Sequence, residues 1–466
     1  MRPIFLLATL SALSSTSFAQ ADRTVNKSHE YTCEELQARP LTYNIEASAK
    51  DFFDALESGN GRIAIVGDSV SFRRDSYNWW FRNMLWDAHG WGGEGYMGAG
   101  SGFTACVNEP CASTLGPRIP QNMREFDPAG NGPDVGHITF STSSSSRDPF
   151  WGSFSPDGFW ALIEDPSASI EFTCFGSKLT FFYLTHPDGG VMSISHDSLH
   201  LYDIDTFNKD HEVQSFTIDT SVMPGDNTST SDTFVNLIGN GSICILGVYS
   251  ESLTSGYQYT RLARGGQGPA DFKLSNTPQS ASILQDINPN MMIVMLDWSN
   301  GYYEPGNPLN DEKFWYERDI NDLLDFYEQT LPDTEIILVT HHHFREDISE
   351  EADILFEIAR ERGMGYINLF DLHTSQQELF DLGFLADNVH LNAAGGLFFG
   401  EYIFDTISAS DDFSCEGDYN NDGVVSVLDI FQAIHEGDIV AAYASLENLG
   451  CKGSTENVFE LIDLTD

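Results

Sequence analysis

Ile63-Ala64-Ile65-Val66 is an apolar run too short for a helix. It stops at Gly67-Asp68-Ser69, beyond which Phe72, Trp79, Trp80 and Leu85 recur at helical spacing. That pattern predicts a buried strand, a tight turn and a helix. The same alternation returns late in the chain. Strands are expected at Met291 to Leu296, Glu335 to Thr340 and Gly365 to Leu369, and helices at Glu312 to Thr330, Asp347 to Arg362 and Asn392 to Ile407. Strands alternating with helices pack as a parallel, doubly wound α/β sheet.

Between these halves the period changes. Ser169 to Phe175, Lys178 to Thr185, Val191 to Ser195, Val213 to Asp219 and Ser242 to Tyr249 read with period two, separated by turn clusters such as Pro187-Asp188-Gly189-Gly190. Short strands at this spacing argue for a β-sandwich. The expected organisation is an α/β domain in two parts, 22–112 and 256–410, an all-β insertion at 113–255, and a small tail at 411–466.

Arg2, the apolar run Ile4 to Leu13 and the small residues around Ala19 and Ala21 read as a cleaved export signal over 1–21. A mature protein that is secreted or periplasmic is therefore expected. Asp and Glu number 70 against 23 Lys and Arg, a formal charge of −47. Such a surface repels phosphate backbones and anionic headgroups, which argues against nucleic-acid and membrane-surface binding as functions. Export permits disulfides. Proximity pairs Cys106 with Cys111, Cys174 with Cys244 and Cys415 with Cys451, and leaves Cys33 odd.

Ser69 stands on a strand-to-helix turn at the edge where open α/β sheets bind ligands. A serine there has an exposed hydroxyl and a free backbone N–H, which suits a nucleophile that needs an oxyanion donor. Read alone, the tripeptide is also an ordinary helix cap. Asp387-Asn388-Val389-His390 supplies a histidine to take the serine proton and a carboxylate to orient it. Gly265-Gly266 follows the expected strand Gln258 to Leu262, and Asn300 follows Met291 to Leu296. A glycine N–H and an amide side chain at strand ends can both donate to an oxyanion.

This ordered set resembles the SGNH (GDSL-type) hydrolase family, over Arg62 to about Ala112 and about Gly256 to Ser408. The resemblance implies a flavodoxin-like sheet, a nucleophile at Ser69, acid–base work by Asp387 and His390, and oxyanion donors at Ser69, Gly266 and Asn300. The family usually carries Gly-x-Asn-Asp in the third block, where this chain has Trp298-Ser299-Asn300-Gly301. The β-rich insertion is similar to modules carried by carbohydrate-active esterases of this family, which implies an acylated polysaccharide or oligosaccharide as substrate. The chemistry implies no cofactor. A sugar acyltransferase on the same fold and an inactive carbohydrate-binding scaffold remain open from sequence.

His341-His342-His343 follows the strand Glu335 to Thr340. Adjacent residues on an extended chain point to opposite faces, so substrate contact or packing is expected ahead of a metal site. Trp79, Trp80, Trp86 and Trp91 read as core ahead of sugar platforms. In the tail, Asp418, Asn420, Asp422, the Val424 carbonyl and Asp429 occupy the spacing of a calcium loop, with Gly423 at the sharp turn. The pattern resembles a single dockerin repeat, which implies a structural Ca2+ and a cell-surface or cohesin-like partner.

Overall fold

The apolar runs become parallel strands whose C-terminal ends share one edge. The computed structural model describes residues 39–73, 76–93, 95–99, 124–126, 138–140, 153–166, 169–174, 178–196, 199–219, 231–251, 256–296, 312–345 and 348–409. Gly365–Ile367, Glu335–Val339, Met291–Met295, Asn60–Gly67 and Gly256–Ala263 lie side by side in that order, all parallel. Numbered along the chain, the order is 2-1-3-4-5, one of the two common doubly wound arrangements. Thr42–Tyr43 closes the far edge antiparallel to Gly365–Ile367.

Both faces of this sheet are covered, which is why its strands read as unbroken apolar runs. Ile63, Ile65, Ile293, Ile337, Val339 and Ile367 face the helices Ile45–Glu57, Tyr77–His89 and Ala393–Ser408. Ala64, Val66, Met292, Val294 and Leu338 face Pro278–Ile287, Glu312–Thr330 and Ser349–Arg362. The helix Ile45–Glu57 was not foreseen, although Ile45, Ala49, Phe52 and Phe53 carry its buried stripe.

The sheet continues past Gly256–Ala263. Gly95–Gly98 pairs parallel to it and antiparallel to Ile243–Glu251, and from there the strands are antiparallel. A second sheet of Leu199–Asp205, Val191–His196, Ser231–Ile238, Ser169–Cys174 and Arg124–Phe126 is antiparallel throughout. Met192, Ile194, Val235 and Leu237 from it share a core with Phe181, Ile243, Ile245 and Val248 from the large sheet.

That layering corrects one expectation. Cys244 is a free, buried thiol, so it is not bridged to Cys174. Along Ile243–Glu251 successive side chains alternate between faces. Ile243 and Ile245 point toward the second sheet, whereas Cys244 points the other way, into the core with Leu184 and Leu246. The strand Ser169–Cys174 belongs to the second sheet and lies on the wrong side for a bridge. Burial pushes the Cys244 thiol pKa up, so it stays an inert hydrophobe. Cys33, Cys106, Cys111, Cys415 and Cys451 lie outside the described residues, as does the export signal. Among the described residues no helix is long and apolar enough to cross a membrane.

The helix Ala393–Ser408 lies directly on Tyr77–His89, and Gly400 permits the approach. A Cβ there would sit 2.7 Å from the Tyr77 carbonyl oxygen and 3.1 Å from the Phe81 nitrogen. Gly400→Val should force these backbones apart and cost about 1–3 kcal/mol, the usual penalty for overpacking. Denaturant unfolding checks this, and an unchanged midpoint would refute the close-packing argument.

Candidate active site

Gly67 ends its strand with Ser71 folded back over it. A Cβ at Gly67 would lie 2.1 Å from Ser71 Oγ and 3.2 Å from the Met295 carbonyl oxygen, so the turn requires glycine. Asp68 then caps the four-residue helix Ser69–Phe72, its Oδ1 accepting from the Val70 N–H at 2.8 Å. Ser69 is thereby the first helical residue, half-buried. Its hydroxyl is 2.9 Å from His390 Nε2. On the other side of that ring, His390 Nδ1 is 2.8 Å from Asp387 Oδ2 and 3.0 Å from Oδ1. An ionised carboxylate only accepts, so Nδ1 carries the proton, and Nε2 is left to accept from the Ser69 hydroxyl.

The loop that presents these groups is held by its own backbone. Leu385 and Leu391 pair as a bridge, and the Ala386 N–H donates to the His390 carbonyl at 2.8 Å. Asp387 Oδ1 accepts the backbone N–H groups of Val389 and His390, both at 2.8 Å. Partial desolvation would raise the Asp387 pKa, but those two N–H bonds and the imidazole outweigh it and lower the pKa to about 2. Arg73 stands 3.6 Å from Asp387 Oδ2, but Asp387 is exposed and Arg73 only partly buried, so this ion pair adds little. Two residues on, Asn392 caps the helix Ala393–Ser408, accepting from Ala394 and Gly395.

Gly266 lies in the turn after Gly256–Ala263. The Arg264 N–H donates to the Gly67 carbonyl at 2.8 Å, which ties this turn to the serine turn. Gly266 has φ +69, and no heavy atom lies within 4 Å of where its Cβ would be, so its surroundings are open. Asn300 lies outside the described residues, and so do Asp418, Asn420, Asp422, Val424 and Asp429 of the expected calcium loop.

His341, His342 and His343 are all buried, and among the described residues no cluster of three or more potential ligands exists. His341 Nε2 is 3.2 Å from Asp68 Oδ1. His342 Nε2 is 2.9 Å from the Val389 carbonyl oxygen. His343 bonds the His373 carbonyl and stacks on Phe370. Burial and the neighbouring His341 push the His342 pKa down to about 3, so this ring is neutral in ordinary buffers. Trp79 is core, as expected.

The C-terminal end of the serine-bearing helix packs on the β-rich region. Phe159 stacks on Phe72 at 5.9 Å, and Arg261 donates to the Phe72 carbonyl at 3.0 Å while lying over its ring. Asp157 is buried, accepting from Ser155 Oγ at 2.6 Å and the Phe159 N–H at 3.0 Å. Burial pushes its pKa up to about 6 against those bonds. No local signal in the sequence marks Phe159 as a neighbour of Phe72. Arg73, four residues after Ser69, is close enough in sequence to have been found.

No family model matches the sequence, and no curated protein matches it. Among solved structures, a peptidoglycan O-acetylesterase superposes with TM-score 0.57 at 14% identity, covering 79% of this chain and 98% of that one. A carbohydrate esterase family 2 enzyme with a carbohydrate-binding domain from Corynascus thermopiles (Myceliophthora fergusii) gives TM-score 0.28 at 11% identity, covering 53% of this chain and 95% of that one. An acetyl xylan esterase from the rumen bacterium Butyrivibrio proteoclasticus gives 0.24 at 10% identity, covering 62% and 98%. The first of these likenesses is a likeness of fold: a mixed α/β architecture with a largely parallel central sheet that an esterase also uses.

Proposed function

We propose that this chain is a secreted serine esterase that removes acyl groups, O-acetyl above all, from carbohydrate. The observation that carries the reading is the unbroken hydrogen-bond chain from Ser69 Oγ through His390 to Asp387 at the C-terminal edge of the sheet. The fold shared with a peptidoglycan O-acetylesterase supports the choice of an acetylated glycan.

In this reading Ser69 Oγ attacks the ester carbonyl while His390 Nε2 takes its proton. Asp387 holds the ring in the needed tautomer and stabilises the imidazolium that forms. The Ser69 and Gly266 N–H groups and the Asn300 amide bind the oxyanion. The sugar hydroxyl leaves with the proton from His390. Water, deprotonated by the same nitrogen, then attacks the acyl-serine and releases the carboxylic acid. No cofactor enters. The tail, with Asp418, Asn420, Asp422, Val424 and Asp429 around Ca2+, serves in this proposal as a structural appendage that docks to a cell-surface partner.

Ser69→Ala should lower kcat on an aryl acetate by roughly 10⁴-fold or more, with its melting temperature retained, as is usual for loss of the nucleophile. Comparable turnover by the variant would end the esterase reading. Asn300→Ala should lower kcat by roughly 100-fold, with a smaller change in KM, if its amide is an oxyanion donor. An unchanged kcat would remove Asn300 from the mechanism.

The pH dependence follows from the shifted groups. Asp387 stays ionised down to about pH 2 and His342 neutral down to about pH 3, so neither changes charge between pH 4 and 8. Activity lost on acidification in that range is therefore due to neither group. Asp157 does titrate there, near 6, buried against the Phe159 backbone. Its folded-state pKa is raised, so it favours folding below its unfolded pKa, and that contribution is lost as pH rises through about 6. Asp157→Asn should therefore raise the melting temperature more at pH 8 than at pH 4 and leave the acid limb of kcat in place. A displaced limb would instead make Asp157 part of the rate-determining ionisation.

A further inference from the structure

The bond between Ser69 and His390 joins segments 321 residues apart in sequence, so something must fix one against the other. The strand Glu335–Val339 ends between them. Its continuation is pinned at Thr340, whose N–H donates to the Ile367 carbonyl at 3.0 Å and whose Oγ1 accepts the N–H groups of Leu369 and Phe370 at 2.8 and 3.0 Å. The next two residues diverge, as neighbours on an extended chain do. We propose that His341 and His342 are positioning residues that hold the serine turn and the acid–base loop in register from one rigid strand end.

Each imidazole bonds to its own half of the site. His341 Nε2–H donates to Asp68 Oδ1 at 3.2 Å, the oxygen that also caps Ser69–Phe72 through the Val70 N–H. His342 Nε2–H donates to the Val389 carbonyl at 2.9 Å, and the N–H of Val389 donates to Asp387. A carbonyl only accepts, which fixes the His342 tautomer. Both rings are sealed from solvent, at 0% and 1% exposure, against Phe344 and, for His342, Phe399. A phenyl ring would suit that packing without the penalty of burying polar nitrogens, so the hydrogen bonds are what distinguish histidine here. The groups facing His342 are His341, His390 and His373, all able to repel a cation. Being neutral, His342 can orient Val389 without opposing the imidazolium that His390 becomes. His343 turns aside to His373 and Phe370 and takes no part.

The inference rests on the esterase reading, and the experiment separates the two. Wild type and Ser69→Ala on an aryl acetate test the reading itself. His341→Phe and His342→Phe keep an aromatic ring and remove the donor. Each should lower kcat by about 10- to 100-fold with KM within about threefold, since ångström-scale misplacement of reacting groups costs that much. Inactivation of Ser69 by a phosphonate ester should slow by the same factor. His342→Phe acts through the loop carrying Asp387, so adding it to Asp387→Asn should lower kcat by less than the product of the two separate losses. His341→Gln, whose amide supplies a donor, should recover to within tenfold of wild type.

Folded Phe variants with kcat within threefold of wild type would overturn the proposal. So would losses of His342→Phe and Asp387→Asn that multiply, or a His341→Gln no better than His341→Phe. Should the Phe variants not fold, His341→Gln and His342→Gln decide: folded and within tenfold of wild type supports the donor role, a larger loss overturns it. A wild type that hydrolyses no acyl ester overturns the esterase reading alone, and the phosphonate rate at Ser69 then tests positioning directly.

Discussion

The hydrogen bond between Ser69 Oγ and His390 Nε2 is the contact that the rest of the structure serves. A bond of 2.9 Å between half-exposed side chains contributes about 1 kcal/mol to stability at most, far too little to bring two distant segments together. The work is done by burial elsewhere. Ile63 and Ile65 on the strand leading to Ser69 share one core with Phe399, Ile403 and Ile407 on the helix that follows His390. Gly400 lets that helix reach the backbone of Tyr77–His89, and Asn392 fixes where the helix begins. The apolar core brings the two segments together, and polar groups set their register.

The β-rich region is joined to the α/β half through backbone pairing. Gly95–Gly98 is parallel to Gly256–Ala263 on one side and antiparallel to Ile243–Glu251 on the other, so a single sheet runs through both. Its glycines suit that place. A Cβ at Gly98 would overlap the Asp157 carboxylate, and one at Gly247 would meet the Tyr96 ring. The segment around Phe159 is consequently held against Phe72, so the helix that begins at Ser69 packs on residues far from it in sequence. A buried carboxyl at Asp157, raised to about 6, accepts the Phe159 N–H.

Much of this was legible in the sequence because it is local. An apolar run flanked by turn residues can be read as a strand without knowing its neighbours, and Gly67-Asp68-Ser69 shows the helix start it makes. The Asp387 and His390 pair was readable because three residues of loop suffice to close it: the carboxylate accepts both backbone N–H groups that follow. The alternating runs of the middle region announced antiparallel strands for the same reason. The helix Ile45–Glu57 was equally legible, since its buried stripe is plain at Ile45, Ala49, Phe52 and Phe53.

What only the tertiary structure decided depends on which face a residue presents and what lies across from it. Proximity in sequence suggested Cys174 with Cys244, but the parity of Ile243–Glu251 turns Cys244 away from the sheet that carries Cys174. Alternation along the chain already spoke against a shared metal site for three consecutive histidines, but only the fold names their partners, Asp68 for His341 and the Val389 carbonyl for His342. Local patterns fix a residue's conformation through short-range sterics and hydrogen bonding. Its partner across the core is chosen by sheet order and by the packing of helices whose contacts span hundreds of residues, and that information is not written at the position itself.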